Sequence, residues 1–395
     1  MSHVVFDQVD IVFGSARKEA LARLDRGETR DEILKATNAV VGVAGASLAV
    51  EEGEICVLMG LSGSGKSTLL RAVNGLNSVT RGKVLLRHQG SLVDIAAIDA
   101  PTLRAVRTTS VAMVFQQFAL LPWRTVRDNV GLGLELRGLG KVERDRIVDE
   151  KLKMVQLDRW ADKYGHELSG GMQQRVGLAR AFATDADLLL MDEPFSALDP
   201  LIRTKLQDEL LLLQKNLKKT ILFVSHDLDE AMKIGNRIAI MEGGRIVQWG
   251  TPEEIILKPA NAYVAEFVAH MNPLNVLKAG SIMQPLAACL REGSNVFFDA
   301  NRQIAITLDD SDYPFAAVYN GAPHRLIACG VDGILPDRAT ESGIVLAPAD
   351  ISLKTAIALR QQSGHALGVV DGEGRLIGLC TDADIYGGLL RQRRG

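Results

Sequence analysis

The sequence predicts an α/β fold with a largely parallel core sheet, followed by a smaller α+β domain. Continuous apolar runs at residues 55–59, 188–191 and 220–224 are typical of strands that are buried on both faces. Helical patterns separate these runs, and strands that alternate with helices favour parallel pairing. Near residues 272–280 the composition changes, and short strands alternate with turns beyond this point. We therefore expect a boundary between two domains at about residue 275.

The N-terminal part begins with alternating and helical patterns. Residues 4–13 alternate well enough to predict a strand. Residues 16–36 carry Arg, Glu, Leu and Lys at helical spacing, and Gly27 predicts a break between two short helices. Residues 46–50 predict the next strand, which a turn separates from the apolar run at 55–59.

The middle of the chain is more helical. Residues 66–73 predict a helix that Gly75 can end, and residues 111–115 predict a strand. Residues 126–157 form a polar, largely helical stretch that is interrupted near residues 138–140.

The composition argues for a protein of a reducing compartment. The formal net charge of −3 gives no reason to expect a nucleic-acid partner. Aspartates interrupt the early apolar stretch, which argues against a secretory signal, and the apolar run at 39–50 is too short to cross a bilayer. We expect a cytosolic protein that reaches a membrane only through partners. The cysteines are widely spaced and predict neither a disulfide framework nor a zinc site: Cys56, Cys289, Cys329 and Cys380.

A phosphate-binding loop is the strongest motif. Residues 60–67 read GLSGSGKS and match G-x-x-x-x-G-K-[ST] between a predicted strand and a predicted helix. The glycines let the backbone approach phosphates, and the helix start adds the positive end of its dipole. We expect Lys66 to neutralise the β- and γ-phosphates of a nucleotide and Ser67 to bind Mg²⁺. The loop alone leaves kinases, GTPases and helicases open. The candidate nucleotide-binding residues here are Gly60, Ser62, Gly63, Ser64, Gly65, Lys66, Ser67 and Thr68.

Two further motifs follow in order along the chain. Residues 168–174 read LSGGMQQ, where Ser169 and the glycine amides precede a helix and can bind an anion. Asp192 and Glu193 are adjacent carboxylates at the end of an apolar strand. With the phosphate loop before them, these motifs resemble the signature and Walker B sequences of the ABC transporter ATP-binding subunits.

The resemblance implies a P-loop NTPase fold of the ABC type and a head-to-tail homodimer. In that family the signature residues meet the γ-phosphate of ATP that the other subunit holds. Asp192 resembles the aspartate that holds Mg²⁺ through water, and Glu193 resembles the glutamate that polarises the attacking water. Asp199 lies in a sequence that resembles the D-loop, and His226 resembles the switch histidine.

The resemblance also assigns the remaining residues of the ATP site. Gln116 resembles the Q-loop glutamine, which senses Mg²⁺. Phe13 is the candidate for the aromatic side chain that stacks on adenine, and a core phenylalanine is the alternative. The implied assignments are catalysis by Glu193, His226 and Lys66, ATP contacts by Phe13, Gln116, Ser169, Gly170, Gly171, Gln173 and Asp199, and metal contacts by Ser67, Gln116 and Asp192.

Within the ABC proteins, the chain resembles the quaternary-amine uptake family. An added helical segment at 16–37 and the stretches FSALDPLIR (195–203) and SHDLDEA (225–231) carry this resemblance. It implies import of glycine betaine, proline betaine or choline, and residues 269–277 are closest to the choline branch. An importer of another osmolyte or of amino acids is the alternative, and a nucleic-acid-associated ABC ATPase is a remote one.

An uptake system implies partners at the cytoplasmic face of the bacterial inner membrane. The chain would bind integral-membrane permease subunits and serve, indirectly, a periplasmic or extracellular substrate-binding protein. Residues 116–126 would accept the permease, with internal packing as the alternative for each of four apolar side chains. These side chains are Phe118, Leu120, Leu121 and Trp123.

The C-terminal domain resembles a CBS domain over its last part. Residues 366–384 predict strand, tight turn, strand and helix, and Thr381 and Asp384 match the T-x-x-D of the closing half of a CBS motif. Residues 280–340 depart from the companion motif. The domain is therefore either a dimerising appendage or a regulator that binds a nucleotide or senses ionic strength. The predicted organisation is an ABC domain at 1–270 with a helical subdomain at about 117–180, a linker at 271–280 and a CBS-like domain at 281–395.

Overall fold

The structure is a computed structural model, and the chain divides into two compact units, Met1–Thr251 and Pro252–Gly395. The sequence places the boundary at residues 271–280, where the composition changes. In the structure, the helical segment that precedes this change belongs to the second unit. The structure describes residues 1–116, 119–196, 198–269, 271–299, 301–330 and 343–390.

The first unit alternates strands and helices, as the sequence predicts. Its strands are β1 (Ser2–Phe13), β2 (Val40–Glu51), β3 (Ile55–Met59), β4 (Arg81–His88), β5 (Ser91–Asp94), β6 (Val111–Val114), β7 (Leu188–Asp192), β8 (Thr220–Val224), β9 (Arg237–Glu242) and β10 (Arg245–Gly250). Its helices are α1 (Arg17–Asp25), α2 (Arg30–Thr37), α3 (Lys66–Val73), α4 (Ala100–Thr109), α5 (Val126–Leu136), α6 (Lys141–Met154), α7 (Gly170–Ala183), α8 (Pro200–Leu217) and α9 (Leu228–Ile234).

The core sheet has the order β10-β9-β3-β8-β7-β6. Strands β9, β3, β8, β7 and β6 pair in parallel, and β10 is antiparallel at the edge. Every residue of β3, β7 and β8 is buried, which explains their continuous apolar sequences. The parallel core sheet is confirmed. Because parallel strands end at the same edge, the segments after β3, β7 and β8 lie where an α/β fold places its site.

An antiparallel sheet of order β2-β1-β4-β5 completes this unit. Apolar side chains of this sheet, of α3 and of the core sheet share one hydrophobic cluster. The sequence analysis did not identify β4, β5 or α4. Strand β4 has an apolar run of only three residues, Val84–Leu86, with charged residues on both sides, which is a weaker signal than the longer apolar runs of the core.

The segment between β1 and β2 forms the predicted pair of short helices, α1 and α2. The break falls at Gly27, which has φ +82°. The two helices, β1 and β2 share a small hydrophobic core that includes Leu24, Ile33 and Val41. A Thr29 capping box fixes the start of α2.

Helices α5, α6 and α7 pack around a separate apolar cluster that includes Val130, Leu152 and Val176. The predicted interruption near 138–140 is confirmed, since α5 ends at Leu136 and α6 begins at Lys141. None of the described helices is both long and apolar enough to cross a bilayer.

The second unit contains two sheets and five helices among its described residues. Its strands are β11 (Gln284–Pro285), β12 (Leu290–Glu292), β13 (Asn295–Phe297), β14 (Ile304–Leu308), β15 (Pro314–Tyr319), β16 (Ala322–His324), β17 (Leu326–Ala328), β18 (Ile344–Pro348), β19 (Leu367–Val370) and β20 (Leu376–Cys380). Its helices are α10 (Pro252–Leu257), α11 (Ala262–Val268), α12 (Ala279–Ile282), α13 (Leu353–Ser363) and α14 (Asp382–Leu389).

The predicted strand, turn, strand and helix at 366–384 correspond to β19, β20 and α14. Asp371 closes the turn, because its carboxylate accepts the N–H groups of Glu373 and Arg375, each at 2.9 Å. Strands β12 to β16 form an antiparallel meander instead. The described residues from β11 to β17 contain no α-helix. This segment therefore differs in structure from residues 366–384, which resemble the closing half of a CBS motif, as the sequence indicates.

Candidate functional site

The phosphate loop joins the end of β3 to the start of α3. Gly60 has φ +143°, and a Cβ there would lie 2.1 Å from the carbonyl oxygen of Met241. Gly65 has φ +98°, and its Cβ would lie 2.3 Å from the carbonyl oxygen of Gly42. Both backbone conformation and space therefore require glycine at these two positions. The buried Ser64 hydroxyl, in the same loop, has no hydrogen-bond partner among the described residues and is available to a ligand.

Changing Gly65 to alanine is expected to weaken MgATP binding more than tenfold and to lower the free energy of unfolding by about 1–3 kcal/mol. The added methyl group forces the loop away from Gly42. Gly138→Ala is the matched control, since Gly138 has φ +78° but no atom within 4 Å of an added Cβ. It should cost about 1 kcal/mol and leave MgATP binding unchanged. Urea unfolding would measure the stability of each variant, and equilibrium binding of a fluorescent ATP analogue would measure its affinity. Equal affinities of the two variants would contradict the prediction.

Lys66 lies inside the loop that it is predicted to serve. Its Nζ donates to the carbonyl oxygens of Gly60 at 2.9 Å and Leu61 at 3.0 Å. Burial lowers the pKa of Lys66, and the nearby carboxylates of Glu193 and Asp192 oppose this shift. The ammonium group can exchange these carbonyl oxygens for phosphate oxygens, which are stronger acceptors.

Asp192 ends β7 and is 1% exposed. The Ser67 hydroxyl donates to Asp192 Oδ1 at 2.6 Å, which brings two predicted metal contacts together. Arg71 Nη2 and Nε donate to Asp192 Oδ2 at 2.8 and 3.1 Å. The sequence analysis missed Arg71, although it lies four residues after Ser67 and therefore on the same face of α3.

These residues suit Mg²⁺ that is bound mainly by phosphate oxygens and water. The described residues contain no cluster of three or more His, Cys, Asp or Glu side chains that could hold a metal. Mg²⁺ commonly uses one or two carboxylates together with substrate phosphates, so Ser67 and Asp192 would suffice as the protein's contribution. The third predicted metal contact, Gln116, is hydrogen-bonded elsewhere in this structure.

Glu193 contacts two other predicted residues, Gln116 and His226, and the three follow the ends of three neighbouring strands. Its Oε2 accepts a hydrogen bond from Gln116 Nε2 at 3.2 Å and lies 3.0 Å from His226 Nδ1. Glu193 has φ +46°, a left-handed conformation that is uncommon outside glycine. Such strain often occurs at functional residues, and here it turns the carboxylate towards Gln116 and His226.

The signature residues lie at the start of α7. Ser169 is the N-cap, and its Oγ accepts the N–H of Met172 at 3.4 Å. The helix begins at Gly170, so both glycines lie within its first turn rather than before it. The Gln173 side chain donates to backbone carbonyls of Gly165 and Leu168 and so holds the preceding loop.

A cavity of about 350 Å³ opens beside this helix start. The predicted ATP contact Asp199 lines it together with Ser169, whereas the phosphate loop does not contribute to the described lining. One chain therefore brings the Ser67–Asp192 pair and the Gln116–Glu193–His226 group to the same edge of the core sheet as Lys66. It places the signature residues and Asp199 on a cavity whose described lining includes none of these residues. The lining residues are Ser169, Gly170, Gly171, Met172, Arg175, Leu198, Asp199 and Ile202.

Arg203 is a second residue that the sequence analysis missed. Its Nη1 donates to Asp227 Oδ2 at 2.9 Å and its Nη2 donates to the Leu198 carbonyl at 3.2 Å. It thus connects the segment before Asp199 with the segment after His226. Arg203 lies four residues after Asp199, the N-cap of α8, and this spacing could have indicated that its side chain is near Asp199.

Phe13 ends β1 and is 40% exposed, which argues against the alternative of a core phenylalanine. Its ring lies over Gly42, because a Cβ on Gly42 would meet Phe13 Cε2 at 2.9 Å and Thr68 Cγ2 at 3.0 Å. The exposed ring is therefore beside the start of α3, where a base could stack on it.

The predicted permease surface is only partly apolar and exposed. Trp123 is 72% exposed, whereas Leu120 packs against the cluster of α5, α6 and α7 and Leu121 is half-buried. Phe118 lies outside the described residues.

Thr381 and Asp384 interact with each other at the start of α14. The Thr381 hydroxyl and N–H donate to Asp384 Oδ2 at 2.6 and 2.8 Å. Thr381 also lines a cavity of about 830 Å³ within the second unit, together with Arg360, His365 and Asp382, but Asp384 is not among the lining residues.

Comparison with known proteins agrees with these motifs. The family model described as "ABC transporter" matches residues 43–196. The chain is 42% identical over 389 residues to the glycine betaine/proline betaine transport system ATP-binding protein ProV of Escherichia coli strain K12, covering 96% of each chain. It is 49% identical over 302 residues to the glycine betaine transport ATP-binding protein OpuAA of Bacillus subtilis strain 168, covering 76% of this chain and 70% of that protein.

A solved structure extends the agreement to the fold. It is the dimeric, post-hydrolysis structure of an ATP-binding cassette bound to ADP and Pi, with a TM-score of 0.54 and 30% identity, covering 63% of this chain and 98% of that one. Together with near full-length identity to a transport ATP-binding protein, these matches identify the family. The chain belongs to the ABC transporter ATP-binding subunits, in the family of the glycine betaine/proline betaine transport proteins.

Proposed function

We propose that this chain hydrolyses MgATP to energise the import of glycine betaine or a related quaternary amine through a membrane permease. The observation that carries the proposal is the position of the phosphate loop beside two carboxylates at one edge of the core sheet. Ser67 donates to Asp192, and the carboxylates of Asp192 and Glu193 lie close enough to Lys66 to act on its ammonium group. Relatives of similar length are ATP-binding proteins of glycine betaine transport systems, which supports this cargo class.

ATP binding uses the loop and its helix. The backbone N–H groups of the loop and the α3 helix start attract the phosphates, and Lys66 exchanges its carbonyl partners for phosphate oxygens. Ser67 and Asp192 would hold Mg²⁺, which would supply positive charge beside the β- and γ-phosphates. Arg71 orients the buried Asp192 carboxylate through two hydrogen bonds.

Glu193 acts on the attacking water. Its carboxylate accepts a hydrogen bond from the water and orients it towards the γ-phosphate. Gln116 and His226 hold Glu193 Oε2, which leaves the second carboxylate oxygen for the water. Most of the rate enhancement then comes from placement and from positive charge around the transferring phosphoryl group.

A second copy of the chain would complete the site. Ser169 and the first-turn amides of α7 are suited to bind an anion but line a cavity apart from the phosphate loop. In a head-to-tail dimer, the signature of one copy would meet the γ-phosphate that Lys66 of the other copy holds. The dimeric cassette that the chain resembles supports this arrangement.

The proposed role in import implies further protein partners. The exposed Trp123 and its neighbours would contact integral-membrane permease subunits at the cytoplasmic face of the inner membrane. A periplasmic or extracellular binding protein would deliver the solute to the permease. A formal net charge of −3 gives a nucleic-acid partner no electrostatic support.

The C-terminal domain would serve as a dimerising appendage. Thr381 and Asp384, the candidates for a regulatory nucleotide site, satisfy each other's hydrogen bonds, which favours a structural role. Regulation by a nucleotide or by ionic strength is the alternative. Calorimetric titration of the full-length chain with adenine nucleotides, in a Lys66→Ala background that silences the ATP site, would distinguish the two.

Transport assays test the proposal directly. The chain, reconstituted with its own permease in liposomes loaded with ATP, is expected to drive uptake of labelled glycine betaine or choline when binding protein is added. Glu193→Gln liposomes should show no uptake. Uptake of only another osmolyte or of amino acids would change the cargo, and uptake without ATP would contradict the function.

A further inference from the structure

The α1–α2 segment contacts the phosphate loop through Arg30. The Nη1 of Arg30 donates to the carbonyl oxygen of Gly63 at 3.0 Å. Gly63 lies in the middle of the loop and has φ +78°. An arginine of the added helical segment is thus bonded to the backbone that is predicted to surround the phosphates, although the sequence assigns this segment no role in binding.

The position of Arg30 is well fixed. Arg30 is the first residue of α2, directly after the capping box in which Thr29 and Glu32 bond each other's backbone N–H. Arg81 ties α1 to the antiparallel sheet, because it pairs with Asp25 at 2.8 Å and with the buried Asp10 at 2.6 Å. The helices also share a hydrophobic core with β1 and β2. Arg30 therefore extends from a rigid support.

The guanidinium group of Arg30 is not committed to a carboxylate. Its acidic neighbour Glu28 already pairs with Arg23 and Arg26, each at 2.9 Å. Within the described part of the chain, Arg30 has no ion-pair partner. Its charge is consequently free to strengthen the hydrogen bond to the Gly63 carbonyl, since charge-assisted bonds are about twice as strong as neutral ones.

This bond helps to fix one peptide plane of the loop. The carbonyl of Gly63 and the N–H of Ser64 belong to the same rigid peptide unit. The Ser64 N–H donates to the Leu61 carbonyl at 3.2 Å, so Arg30 holds from outside the loop a peptide that the loop itself holds from within. The loop is rich in glycine and would otherwise lose much backbone freedom when it orders around phosphates. A loop that is ordered beforehand binds its ligand more tightly.

We propose that Arg30 is a positioning residue that raises the affinity for MgATP by holding the Gly63–Ser64 peptide in place. The proposal rests on the proposed function and adds a role for the α1–α2 segment. The proposal predicts an effect on ATP binding but not on the hydrolysis step, because Arg30 contacts neither Asp192 nor Glu193 among the described residues. The KM for ATP should therefore respond to Arg30, whereas kcat should not.

The test measures steady-state hydrolysis by the purified full-length chain over a range of MgATP concentrations. Arg30→Ala and Arg30→Gln are expected to raise KM about tenfold and to leave kcat within about twofold. Arg30→Lys keeps a charged donor and should restore KM to within about threefold of the parental value. The Gln variant retains part of the side-chain stem, so the test stands even where the Ala variant folds poorly.

Arg26→Gln is the matched control, because Arg26 is exposed on the same segment and pairs with Glu28 rather than with the loop. Its KM should equal the parental value. An unchanged KM in Arg30→Gln, a loss of kcat at unchanged KM, or an equal KM increase in Arg26→Gln would overturn the proposal. Failure of the proposed function would instead appear as a parental chain that does not hydrolyse ATP.

Discussion

Glu193→Gln is expected to lower ATP turnover by about 10²–10⁴-fold while MgATP binding is retained. Glutamine has the size of glutamate and can accept the same hydrogen bonds from Gln116 and His226 through its carbonyl oxygen, so the site keeps its shape. It lacks the negative charge that orients and polarises the attacking water. Phosphate release at saturating MgATP measures the turnover, and equilibrium binding of a fluorescent ATP analogue measures the affinity.

The same variant should accumulate as an ATP-bound dimer. Because hydrolysis ends the closed state, a chain that binds but does not hydrolyse ATP remains paired, and size-exclusion chromatography with and without MgATP detects this change. Glu143→Gln is the control, since Glu143 is an exposed glutamate in the first turn of α6. It should turn over at the parental rate. A Glu193→Gln chain that hydrolyses ATP at that rate would show that Glu193 has no catalytic role.

The sequence was sufficient to predict the core of the fold because burial leaves a clear pattern there. Strands β3, β7 and β8 are buried on both faces and read as continuous apolar runs. Strand β4 and helix α4 were missed, because each buries few residues between polar ones. The antiparallel meander was not predicted as such, since its strands are short and strand pairing depends on contacts between distant residues.

In the candidate site, too, some residues could be predicted from the sequence and others could not. Ser67 and Asp192, 125 residues apart, were predicted to share a metal, and the structure brings them within 2.6 Å. Arg71 and Arg203 were missed because their only sequence signal, a position four residues after a motif residue on a helix, is weak. Arg30 was missed because its contact with the loop depends on how the α1–α2 segment packs against β1 and β2. Motifs predict residues that meet the ligand, whereas residues that support them emerge only from packing.

Ser169→Asp is expected to lower ATP turnover about 10²–10³-fold, although Ser169 lies on a cavity apart from Lys66 in its own chain. Aspartate is as good an N-cap as serine, so α7 should begin normally. Its carboxylate would face the γ-phosphate that the other copy holds, and two like charges about 4 Å apart repel by about 4 kcal/mol near a protein surface. Ser169→Asn has the same shape and capping ability without the charge, and it should retain most of the turnover.

Mixing two inactive chains gives the decisive measurement. Lys66→Ala removes the side chain that binds the phosphates, and Ser169→Asp places a negative charge where the signature meets the γ-phosphate. Each variant alone should therefore be inactive. A mixed dimer has one site built from the intact Lys66 of one chain and the intact Ser169 of the other. Random pairing makes about half of the dimers mixed, each with one intact site of two, and should restore about a quarter of the parental turnover. If the mixture stays as inactive as its components, Lys66 and Ser169 of different copies do not share a nucleotide, and the head-to-tail site is wrong.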